Sequence, residues 1–195
     1  MPLHYGVIAP FVFLDRMPIF IHYTIRYYMT HDQLLTEHTL TTDELIRLLT
    51  TLSEEQLNTV PFTGSWTPGK LGDHLYKSYG LGAVLNGKTE PTTRPVEEKI
   101  GPVKEVFLNF DIKMKSPDFI VPSTGHFDKT ILLSGLTKRI NGIKDFIQKK
   151  EDLTLTCLDF ELPNAGKLTR TEWIQFMTVH TVRHVHQLKK IVATL

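Results

Sequence analysis

The segment from Thr169 to Ile191 constrains this chain more than any other. Thr169 and Glu172 stand three residues apart in the pattern of a capping box, which satisfies the free amides at a helix start. Behind them Trp173, Phe176, Met177, His180, His184, Leu188 and Ile191 recur in a stripe of helical period. Such a helix has one buried face and must lay it against other elements.

Other segments supply those partners. From Asp32 to Leu52, the positions Leu34, Leu35, Leu45, Leu48, Leu49 and Leu52 predict a helix with one buried stripe. Ser53-Glu54-Glu55-Gln56 has the form of a capping box opening a short turn. Thr67-Pro68 is a sharp helix start, with Thr67 as cap and Pro68 at the first helical position. That helix is expected to run from Pro68 to about Val84, with Leu71, His74, Leu75 and Ser78 inward; Gly80, Gly82 and Gly87 weaken its end. A third stripe, Leu132, Leu136, Ile140, Ile143 and Ile147, predicts a helix over Phe127 to Lys149. Between Gly87 and Gly125, five prolines break any long helix. Val103 to Phe110 reads equally as extended chain or as a brief helix. A connection this long is often a lid or a pocket wall.

With 195 residues, one domain is expected. The first 28 residues stand apart, dense in Phe, Tyr, Ile and Pro and without helical or strand period. Met29-Thr30-His31-Asp32 is a more ordinary polar start. We read Met29 as the native beginning and the preceding segment as a translated upstream extension, the alternative being an arm that packs on the bundle or on a partner. The longest strongly apolar stretch, Gly6 to Leu14, contains Pro10 and is too short to span a bilayer. It also lacks a basic start and a clean cleavage site. The net charge of +1 gives no pull toward nucleic acid or an anionic membrane. Cys157, the sole cysteine, excludes an intrachain disulfide and reads as a small buried hydrophobe. A cytoplasmic location is expected.

The nine histidines are unusual. His180 and His184, four apart, stack one turn apart on the core-facing side of the last helix. Buried imidazoles need partners, and a shared metal ion would serve both. Hydrogen bonding in the core is the other way to satisfy them. His74, on the inward face of a different helix, would add a third ligand and leave positions open, as in a catalytic metal centre.

Trp66-Thr67-Pro68-Gly69-Lys70-Leu71-Gly72-Asp73-His74-Leu75 resembles the segment that opens the second helix of DinB-like proteins. The stretch His180-Thr181-Val182-Arg183-His184-Val185-His186-Gln187-Leu188 is similar to the last helix of that family. The resemblance covers about Asp32 to Leu195. It implies an all-α four-helix bundle, often dimeric, with a divalent metal held by His74, His180 and His184. It also implies chemistry on a small molecule, in some branches with bacillithiol or mycothiol as cosubstrate. Two positions depart from the thiol-transferase pattern: Arg183 where many relatives have a second histidine, and His186 where they often have glycine.

The expected function is therefore that of a metal-dependent hydrolase or thiol S-transferase acting on a small molecule through a three-histidine centre, with a low-molecular-weight thiol as partner in the transferase case. Zinc, nickel, iron and copper all suit imidazole. A homodimer is expected, with neither nucleic acid nor membrane as partner. A non-catalytic metal-binding or stress-related bundle is the alternative. Among the remaining residues, His186 is expected to point away from the metal, Arg183 to be a solvated charge, Trp66 and Trp173 to anchor the core, and His126 to sit in a loop. Asp73 is expected to project away from the ligands unless it orients an imidazole. Gln187 reads equally as a partner of a ligand or of another helix.

Overall fold

The computed structural model describes residues 28–195. The reading of residues 1–28 as a separate extension therefore lies outside the described residues, Tyr28 excepted. Among these residues the chain forms helices α1 (His31–Thr51), α2 (Glu54–Asn58), α3 (Pro68–Tyr79), α4 (Ile100–Leu108), α5 (Lys129–Gln148) and α6 (Arg170–Val192). Two short strands, β1 (Thr89–Glu90) and β2 (Thr156–Cys157), pair antiparallel, with Thr89 opposite Cys157. The fold is all-α. Helix α1 packs on α5 and α6, and α3 packs on the same two, so the four long helices close into a ring around one core.

Local chemistry sets the helix starts. Full capping boxes open three helices: Thr30 with Gln33 at α1, Ser53 with Gln56 at α2, and Thr169 with Glu172 at α6. Thr67 caps α3 ahead of Pro68, and Asp128 caps α5 by accepting from the amide of Ile131. Asp128 is the reason α5 begins at Lys129, two residues after the start expected from its stripe. The expected helix over Pro68 to Val84 stays α-helical only to Tyr79 and tightens into a 3-10 segment, Gly80–Asn86. Close packing on α5 accounts for the glycines there. A Cβ on Gly82 would lie 2.4 Å from Ile143 Cδ1, and one on Gly80 would lie 2.8 Å from the Arg139 guanidinium.

The long connection is more ordered than its prolines suggest. It holds β1, then α4, which settles Val103 to Leu108 as helix, and a 3-10 turn, Asp118–Ile120. Helix α4 packs along α6. Its start is tied down by Glu172, fully buried, whose carboxylate accepts from Arg94 at 2.6 and 2.8 Å and from the Lys99 amide at 2.7 Å. Thus the residue that caps α6 also anchors the wall that faces it.

Candidate metal centre

Helix α3 brings its histidine inward because it lies unusually close to its neighbours. A Cβ on Gly69 would meet the Phe127 ring at 2.7 Å, and one on Gly72 would meet Leu132 at 2.9 Å. Pressed there, α3 buries Leu71, His74, Leu75 and Ser78, the face expected from its sequence. Helix α6 presents His180 and His184 one turn apart, both buried. The three rings meet. Nε2 of His180 stands 3.1 Å from Nε2 of His74 and 3.0 Å from Nε2 of His184. One donor nitrogen from each ring lies within 4.8 Å of the other two.

The opposite edges of the rings fix their protons. Nδ1 of His74 faces the carbonyl oxygen of Ile120 at 2.8 Å. A carbonyl only accepts, so Nδ1 carries the proton and Nε2 presents a lone pair. His184 likewise donates from Nδ1 to Oε1 of Gln187 at 3.1 Å. Two lone pairs therefore converge on His180, whose Nε2 can share one proton with one neighbour only. Further protons are disfavoured. Burial, and then the proximity of His184 and His74, pushes His180 well below the ordinary histidine range. Burial and the nearby His74 bring His184 down to about 3. Burial also lowers His74, outweighing the opposing pull of the Ile120 carbonyl. Three neutral, inward-facing nitrogen donors are a set that fits a divalent cation and not a proton. The group could hold such an ion with three protein ligands.

The support for His74 is built by its neighbours on α3. Asp73 accepts from the amide of Ser123 at 2.7 Å and pairs with Lys77 at 2.9 Å. Lys77 also donates to the carbonyl of Val121 at 2.7 Å and to the Ser123 hydroxyl. Burial opposes ionisation of Asp73, but the Ser123 amide and the Lys77 ammonium outweigh it and hold the carboxyl below its usual range. Together they fasten residues 121–123, next to the carbonyl that orients His74. Asp73 thus supports a ligand through a loop, not through a direct bond to an imidazole. Sequence alone gave no signal for Ile120, because any residue has a carbonyl. Gln187 proves to be a partner of His184, one of the two roles left open for it.

A pocket of about 930 Å³ opens over the three rings. The Trp66 ring lies 5.2 Å from that of His74, and the rings of Phe107 and Phe176 each lie 5.7 Å from that of His180. Trp66 is partly buried: it packs against the core, as expected, and also forms a wall of the pocket; Trp173 is fully buried, as expected. The segment after α4 forms the outer wall. Arg183 donates to the carbonyls of Phe107, Asn109 and Ile112, so it holds this wall instead of standing as a solvated charge. His186 stacks on Phe110 with centroids 3.9 Å apart. It lies on the pocket rim, away from the imidazole cluster. His126 stays exposed and meets Glu54. Cys157 is buried, and burial lifts its thiol to about 11.

The family model of the DinB superfamily matches residues 37–188, a span that includes all three histidines. The chain belongs to the DinB superfamily. It is also similar to the uncharacterized protein YuaE of Bacillus subtilis (strain 168), with 29% identity over 151 residues, covering 72% of this chain and 85% of that protein. No solved structure matches it. No helix of this superfamily member, among the described residues, is long and apolar enough to cross a membrane.

Proposed function

We propose that this DinB-superfamily chain is a divalent-metal-dependent enzyme acting on a small molecule, as a hydrolase or a thiol S-transferase. The observation that carries the reading is the convergence of three neutral imidazole nitrogens at the floor of an open, aromatic-walled pocket. His74, His180 and His184 would hold the ion, with Ile120 and Gln187 keeping the outer nitrogens protonated and the inner ones free. What such an ion supplies is Lewis acidity and a lowered pKa for a water or thiol. The aromatic walls would receive the apolar part of a substrate, while Arg183 keeps the outer wall in place. The connection from Gly87 to Gly125 lines this pocket without sealing it, which favours catalysis over a purely binding or stress-related role.

Metal analysis of the purified protein beside His184→Ala tests the centre. Loss of bound metal in the variant is expected, and equal metal content in both proteins would defeat the assignment. Screening the loaded protein against electrophilic substrates, with and without low-molecular-weight thiols, separates the hydrolase from the transferase.

A further inference from the structure

The pocket over the histidines is far more cationic than the chain that builds it. The protein as a whole balances 22 basic residues against 21 acidic ones. Around this pocket, among the described residues, five basic side chains stand against one carboxylate: Lys99, Lys113, Lys115, Arg183 and Lys190 against Glu98. Two of the five hold the wall together through backbone carbonyls, Lys99 at Lys167 and Arg183 across the segment after α4. A carbonyl contact leaves the positive charge uncompensated. Lys113, Lys115 and Lys190 form no ion pair among the described residues, although their neighbour Lys189 pairs with Glu44.

The apolar part of the lining is equally pronounced. Phe107, Phe110, Phe119, Phe160 and Phe176 all contribute. Ile112 and Met114 are exposed for their type and alternate with Lys113 and Lys115 along the outer wall. Aromatic walls of low dielectric focus the field of a one-signed rim, so charge and apolar surface act on the same ligand. A cation is repelled there. A neutral apolar molecule gains burial but leaves the rim uncompensated. An inorganic anion meets the rim but gains nothing from the walls.

We infer that the pocket selects organic anions with an apolar body, an aromatic or branched aliphatic group that carries a carboxylate, sulfonate or phosphate, and that Lys113 and Lys115 read the anionic end. This deepens the functional reading above and rests on it for the claim that the bound molecule is a substrate.

Fluorescence titration of the full-length protein with two probes tests the inference. These are 1-anilinonaphthalene-8-sulfonate and its uncharged parent, N-phenyl-1-naphthylamine, each with metal-free and with zinc-loaded protein. The sulfonate is expected to bind about tenfold more tightly than the neutral probe in both states, the sum of two partly screened lysine contacts. The double variant Lys113→Gln/Lys115→Gln should lose most of that preference and keep its affinity for the neutral probe. Lys113→Arg/Lys115→Arg should retain it. Equal affinities in the wild type, or a preference untouched by the Gln variant, overturn the inference. So does a preference seen only with zinc, because the ion and not the lysines would then recognise the anion. The metal assignment fails separately, by unchanged metal content in His184→Ala.

Discussion

Replacing His38 with leucine should flatten the acid side of the stability profile. His38 lies wholly buried in the middle of α1, and its Nδ1 donates to the Thr178 hydroxyl at 3.0 Å, while Nε2 has no partner. Burial, reinforced by the charge of Lys144 and opposed by Asp43, lowers its pKa from 6.5 to about 4. In the unfolded chain the ring protonates near 6.5; in the folded chain it resists until about 4. The unfolded state therefore binds more protons between these values. Stability contributed by the neutral ring is present above the unfolded pKa and is lost as pH falls toward the folded one. Between about pH 7 and pH 5 the loss is about 2 kcal/mol. Urea unfolding of chelated wild type and His38→Leu at both values isolates this quantity, because His74, His180 and His184 titrate in both proteins and cancel. The variant should lose about 2 kcal/mol less than the wild type on acidification. Parallel losses would refute the assignment of a neutral, desolvated ring.

Asp73→Ala should free residues 121–123 and weaken zinc binding about tenfold by calorimetric titration, with helix content unchanged; undiminished affinity would show that the Ser123 and Lys77 contacts do not support His74. Glu172→Ala removes a carboxylate that serves Arg94, the Lys99 amide and the α6 cap together. It should cost about 3–5 kcal/mol in thermal unfolding, and a cost under about 1 kcal/mol would contradict the shared anchor.

The helices were largely legible because their signals are local. A capping box spans four residues, and a stripe spans one helix. This is why α6 begins where Thr169 and Glu172 predict, and why α3 begins at Thr67-Pro68. The ends were less legible. Tyr79 ends α3 because Gly82 packs against Ile143, a residue on α5. His38 and Thr42 fill the gap in the α1 stripe between Leu35 and Leu45, where the one apolar residue, Leu40, lies off the stripe and faces solvent. The Thr42 hydroxyl is satisfied locally, by donating to the His38 carbonyl, but the burial of the His38 ring is sensible only with Thr178, which lies 140 residues away in the chain.

Residue type and spacing alone placed His74 on one helix and His180 with His184 on another, because helical period fixes which side chains share a face. Only the tertiary structure decided that the three rings meet, which nitrogen of His74 and of His184 keeps its proton, and that Arg183 and the lysines surround the opening. Those facts depend on distances between segments far apart in sequence and on backbone carbonyls such as that of Ile120, which every residue possesses and no residue type announces.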